Sequence, residues 1–167
     1  FGRFDNSRAA DITKNKMATN YLIYGMKKIE YIHEEEFHNE KAANEILPYI
    51  FNLLEIKSVI DIGCGLGTWL TVAKRLGKDI LGIDGIKADE KIFKLNDHEF
   101  LKHNLTEEIS LNKKFDLAIC LEVVEHLEDD FAETIVNTIT NHSDFVLFSA
   151  AIPYQTGDHH FNEQWPN

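Results

Sequence analysis

Two small groups of residues in this sequence have types and spacings suited to chemistry. The first is "VIDIGCGLGTWL" (59–70), where Asp61 precedes glycines at positions 63, 65 and 67. Glycine is costly inside regular structure. Three at alternate positions mark a turn whose backbone needs unusual dihedrals or a close approach to a ligand. A second acid, Asp84, ends the next apolar run, "DILGID" (79–84). The second group is "LEVVEHLEDD", in which Glu122, Glu125 and His126 stand at i, i+3 and i+4. On one helical turn that spacing places all three on one face. Two carboxylates and an imidazole facing one point suit a borderline-to-hard divalent cation. A further imidazole is available from "YQTGDHHFNEQW" (154–165), which carries His159 and His160.

Each group also has a simpler reading. The glycines alone describe a ligand-free strand-to-helix turn. Glu125, Glu128, Asp129 and Asp130 fall where acids favour the start of a helix. Trp69 suits core packing. Cys64 suits a small filler, since no cationic neighbour lowers its pKa.

The elements that position these groups follow from the apolar pattern. Ala43, Ile46, Leu47, Ile50 and Leu54 recur at helical spacing, with Pro48 inside the pattern. Either Asn44 caps a helix beginning just before Pro48, or a longer helix kinks there. "SVIDI" (58–62) reads as a buried strand and "TWLTVAKRLG" (68–77) as a helix closed by Gly77. Further strands are expected at 79–84, 99–105, 115–122 and 144–150. Leu127, Phe131, Ile135 and Ile139 predict a helix between the last two. Alternating strands and helices predict an α/β fold: a Rossmann-like, doubly wound, mainly parallel sheet with helices on both faces. Ligands then sit beyond the carboxyl ends of the strands, where Gly63 to Gly67, Asp84, Asn104, Glu122 and the stretch after Ala150 all fall.

The chain has 167 residues, enough for one domain with a sizeable core. Residues 1–35 are polar and aperiodic and read as a partly ordered N-terminal extension; the domain proper is expected over 36–167. A formal charge of −11 argues against a nucleic-acid footprint. No apolar run approaches a membrane span and the first residues lack an apolar leader core, so no membrane association is expected. Two distant cysteines, Cys64 and Cys120, point to a reducing, cytoplasmic setting.

The order acid, G-x-G-x-G, then an acid closing the next strand resembles class I S-adenosylmethionine-dependent methyltransferases over roughly residues 40–165. It departs from the dinucleotide fingerprint, whose third glycine would fall at Thr68 rather than Gly67. The resemblance implies that Asp61 organises the methionine amine and that Asp84 binds both ribose hydroxyls. It also implies that "HNLTEEI" brings Asn104 to the adenine amine and the Leu105 N–H to the adenine ring. Cys64, Trp69, Gly85 and Leu121 complete the expected cofactor-binding set. The E-x-x-E-H element is similar to that of small-RNA 2′-O-methyltransferases and ubiquinone-biosynthesis O-methyltransferases. In the former, a distal histidine joins it in holding a divalent metal. By that likeness Glu122, Glu125, His126 and His159 would hold Mg²⁺ or Mn²⁺. The tail "HHFNEQWP" resembles small bacterial methyltransferases of capsule and surface-polysaccharide synthesis. The family usually adds two strands beyond the point where this sequence stops, so either more chain exists or part of the acceptor pocket is missing.

The function expected is methyl transfer to the oxygen of a small acceptor, such as a sugar or phosphoryl compound, with Glu122 among the catalytic groups. Without a metal, His159 or His160 becomes the candidate general base, with Tyr154 orienting it. A nicotinamide-dependent oxidoreductase and a non-catalytic cofactor-binding scaffold are the alternatives. The oligomeric state is left open.

Overall fold

The computed structural model describes residues 39–155, 157 and 160–165. All of them belong to a compact unit spanning Ile32–Asn167. The expected extension over 1–35 lies outside the described residues. Five strands form one parallel sheet: β1 (Ser58–Ile62), β2 (Asp79–Asp84), β3 (Phe100–Lys102), β4 (Leu117–Leu121) and β5 (Val146–Ser149). Their order is β3-β2-β1-β4-β5. Among the described residues the α-helices are α1 (Lys41–Leu53), α2 (Thr68–Arg75) and α3 (Ala132–His142).

The alternation within β1 shows how the two layers arise. Val59 joins a core with Ala43, Leu47, Leu70, Val72, Leu117 and Ile119, which includes the apolar faces of α1 and α2. Ile60 and Ile62 join the opposite core with Ile83, Ala118, Cys120, Ile135 and Ile139, which includes α3. Successive side chains of a strand point to opposite faces, so an unbroken apolar run marks a strand covered on both. Chain order reverses between β1 and β4. In open α/β sheets ligands bind beyond the carboxyl ends of the strands at such a switch point, and the glycine turn leaves β1 there.

Several boundaries differ from the expected ones. α1 runs continuously from Lys41 through Pro48, and Asn44 is not its cap. The Asn44 side chain instead accepts from Arg75 of α2 at 2.6 Å, and Arg75 also reaches Glu40 at 2.9 Å. β3 is only Phe100–Lys102, because Asn104 turns the chain by accepting from the Thr106 backbone and hydroxyl. α3 starts at Ala132 rather than Leu127. Two short 3₁₀ turns, Val124–His126 and Asp129–Phe131, occupy the intervening stretch. Among the described residues no helix is long and apolar enough to cross a membrane.

Candidate active site

The glycine turn is shaped by three left-handed residues. Gly63, Gly65 and Gly67 have φ of 83°, 53° and 79°. A Cβ on Gly63 would overlap the Val123 methyls, and one on Gly67 would overlap Leu95. Glycine is thus required at both positions by backbone and by space. Gly67 also begins α2: its carbonyl accepts from the Thr71 N–H at 2.9 Å. Gly67→Ala combines a disfavoured dihedral with an overpacked contact and should cost about 3 kcal/mol, read from urea unfolding. Gly82, inside β2, is a residue that sequence reasoning missed. A Cβ there would press on Cys64, Leu70 and Leu95, so its absence lets the turn lie flat against the sheet.

The two acids differ in environment. Asp84 is half-buried at the end of β2; its Oδ2 accepts from the Gly65 N–H and its Oδ1 from the Ile86 N–H, both at 2.9 Å. A carboxylate offers about four acceptor positions, so these bonds orient Asp84 and leave two for a ligand diol. Asp61 is buried beneath the turn. Burial and the neighbouring Asp84 push its carboxyl up to about 8 from an ordinary 3.8. The folded domain therefore holds a proton that the unfolded chain releases near pH 4. That contribution to stability is complete below pH 4 and fades as pH rises to about 8. Melting temperature should fall across this window in the wild type, and the fall should be smaller in Asp61→Asn.

The remaining expected cofactor contacts are placed as follows. Trp69 and Leu121 are half-buried and pack against the core on the α1/α2 side. Cys64 lies in that core, and burial with Asp61 and Asp84 nearby pushes its thiol far up, so it is no nucleophile. A Cβ on Gly85 would make only ordinary contact with the His103 carbonyl. Leu105 packs against the α3-side core. The Asn104 oxygen already accepts twice from Thr106, at 3.2 and 2.9 Å, and its amide donates to Glu107 at 3.1 Å. A ligand amine at Asn104 would have to displace one of these bonds.

The second constellation forms differently from the helical face expected. Glu122 leaves β4 with φ of 55°, and Val124–His126 is a 3₁₀ turn. Glu122 therefore does not share a helix face with Glu125 and His126; its carboxylate accepts from the Ser149 hydroxyl at 2.7 Å. Glu125, His126 and His160 do come together: one potential ligand atom from each lies within 4.8 Å of the others. Glu125 is 0% exposed. Its Oε1 accepts from the Ala151 N–H at 3.2 Å. Its Oε2 is the one buried side-chain oxygen or nitrogen among the described residues without a hydrogen-bond partner. Burial, with Glu122 nearby, raises the Glu125 carboxyl above the usual range. The His126 and His160 rings meet edge-on, with centroids 5.2 Å apart. His159 lies outside the described residues, so its expected role has no structural counterpart here. Tyr154 is 92% exposed, in a left-handed conformation (φ 74°). Another histidine, His142, is structural: its Nδ1 donates to the Thr138 carbonyl at 2.6 Å and its Nε2 accepts from the Leu111 N–H at 3.2 Å.

The arrangement pairs a glycine turn at the end of β1 with a buried carboxylate and an imidazole from the stretch after β4 and a second imidazole from the stretch after β5. Comparison with known proteins identifies the family. A family described as a methyltransferase domain matches residues 31–148. Similar curated proteins include the ubiquinone biosynthesis O-methyltransferase of Bradyrhizobium diazoefficiens, 36% identical over 76 residues, covering 42% of this chain and 30% of the relative. The protein of that name from Bradyrhizobium sp. (strain ORS 278) is 32% identical over 122 residues, 70% of this chain and 46% of the relative. The chain thus spans less than half the length of these curated relatives. Among solved structures, the sugar N-methyltransferase KedS8 from Streptoalloteichus sp. ATCC 53650 superposes with a TM-score of 0.56 at 17% identity, over 84% of this chain and 64% of that one. Streptomyces venezuelae DesVI gives 0.55 at 16% identity, over 94% and 62%. At these identities the structural likeness is one of fold.

Proposed function

The chain belongs to the class I S-adenosylmethionine-dependent methyltransferases, and from that premise we propose that it methylates an oxygen of a small acceptor with the help of a divalent metal. The cofactor's place is supported by the glycine cradle, in which a side chain at 63 or 67 would collide, and by Asp84 with acceptor capacity to spare. The shifted third glycine and the family match both favour a methyl donor over a nicotinamide. We take the domain to begin near residue 36.

The observation that carries the metal reading is the buried Glu125 oxygen with no partner, grouped with two imidazoles. A buried carboxylate without compensation is expensive, and a bound cation is the standard remedy. One carboxylate with two imidazoles suits Mn²⁺ or Mg²⁺ less exclusively than an all-oxygen set would, and Mn²⁺ fits the mixed donors better. Glu125, His126 and His160 would hold the ion, with His160 in the place that the sequence assigned to His159. Held there, a divalent ion would lower the pKa of an acceptor hydroxyl and fix its orientation. Glu122, tied to Ser149, acts on Glu125 and adds negative potential that favours a cation.

The protein's own groups otherwise supply alignment, since the methyl of S-adenosylmethionine is already activated. A positive ligand over Asp61 favours the ionised carboxyl, so cofactor binding near pH 7 should release a proton. Calorimetry of S-adenosylhomocysteine in two buffers of different ionisation enthalpy reads that release. A sugar or phosphoryl acceptor suits the cation, which offsets the repulsion of an acidic surface. We assign it to surface-polysaccharide synthesis on the likeness of the "HHFNEQWP" tail. Titration with Mn²⁺ tests the metal: one site is expected, lost in Glu125→Ala, while S-adenosylhomocysteine binding persists after chelation. Absence of Mn²⁺ binding by the wild type would overturn the metal reading.

A further inference from the structure

The segment after β5 contains a second acid, Glu163, which the proposed chemistry leaves unused. One of its oxygens, Oε1, lies 3.2 Å from Nδ1 of His160, and the other, Oε2, accepts from the Tyr154 N–H at 3.1 Å. Neither side chain is freely exposed: 13% for His160 and 26% for Glu163. We propose that Glu163 is the positioning residue for His160, holding its ring through Nδ1 so that Nε2 keeps the lone pair offered to the Glu125–His126 cluster. The inference rests on the site proposed above at Glu125, His126 and His160.

Three further observations converge on the same ring. First, Gly157 lies directly against it: a Cβ there would overlap Cε1 and Nε2 of His160. Only glycine leaves the ring its place. Second, the chain just beyond His160 is pinned to the cluster itself, because the N–H groups of Phe161 and Asn162 both donate to the Glu125 carbonyl, at 2.7 and 3.2 Å. Third, Tyr154 adopts a left-handed backbone that non-glycine residues rarely take, and its N–H is held by the same Glu163 carboxylate. Glu163 therefore joins two parts of the loop, the strained turn at Tyr154 and the imidazole six residues later. A carboxylate accepting from one nitrogen of an imidazole fixes its tautomer and raises the basicity of the other nitrogen. That is the arrangement a ligand or a base requires.

The test reads the ring and not only activity. Long-range ¹⁵N–¹H spectra of the wild-type chain should show neutral His160 protonated at Nδ1. Glu163→Ala should abolish that preference and weaken Mn²⁺ binding about 10-fold or more. Glu163→Gln, whose amide oxygen can still accept from Nδ1–H, should restore the tautomer and most of the affinity. S-adenosylhomocysteine affinity should stay within twofold in both. Gly157→Ala should reproduce the Mn²⁺ defect while keeping Glu163. The inference is overturned if wild-type His160 carries its proton on Nε2, or if Glu163→Ala lowers the melting temperature without changing tautomer or Mn²⁺ affinity. A wild-type chain that binds no Mn²⁺ overturns the metal reading alone; the tautomer then decides the role of Glu163.

Discussion

Asp84→Ala is expected to weaken S-adenosylhomocysteine binding about 100-fold while leaving the sheet intact. Two losses combine. The Gly65 and Ile86 N–H groups lose their common acceptor, so the turn is no longer tied to the end of β2. A ligand diol loses two bonds to a charged acceptor, each worth about 1.5–3 kcal/mol. Part of that is recovered by water, and a net loss near 3 kcal/mol corresponds to the 100-fold change. Asp84→Asn keeps one carbonyl oxygen and should fall between the two, about 10-fold weaker than wild type. Calorimetric titration measures both. Equal affinity in all three proteins would place the cofactor elsewhere.

The second large effect concerns Glu125→Gln. Methyl transfer from labelled S-adenosylmethionine to sugar and phosphoryl acceptors should drop about 100-fold or more, with cofactor affinity nearly unchanged. Stability should move the other way or not at all. The amide can keep the bond from the Ala151 N–H at Oε1, and a neutral group replaces a carboxylate that is fully buried with an unpartnered oxygen. A residue kept for packing would behave in reverse, with lost stability and preserved turnover. A buried charge that costs stability and serves a ligand is a familiar trade at functional sites. Melting curves and turnover on the same preparation separate the two accounts.

The fold was legible because its signals are local. The apolar runs at 58–62 and 79–84 and the glycines between them state the strand, the turn and the following helix within about twenty residues, and β1, α2 and β2 match those expectations closely. The acids at 61 and 84 were legible for the same reason, as each ends or interrupts a buried strand. The second constellation was only partly legible. Spacing of i, i+3 and i+4 presupposes a helix, and the left-handed turn at Glu122 removes that premise. That His160 meets Glu125 depends on how the loop is anchored. The anchors are the Glu125 carbonyl, Gly157 and Glu163, none of which announces itself in a periodicity. Gly82 escaped notice because its neighbours Cys64 and Leu95 lie at a distance in the sequence.

The central claim is that the turn after β1, with Asp84, holds S-adenosylmethionine. Thermal unfolding of the wild-type chain with S-adenosylhomocysteine, and in parallel with NAD, tests it most directly. At about 100 times the dissociation constant a ligand that binds only the folded state adds roughly 2.7 kcal/mol, which for a chain of this size is a rise of about 5–10 °C. The account predicts that rise with S-adenosylhomocysteine and none with NAD. No shift with S-adenosylhomocysteine, or an equal shift with NAD, would contradict it.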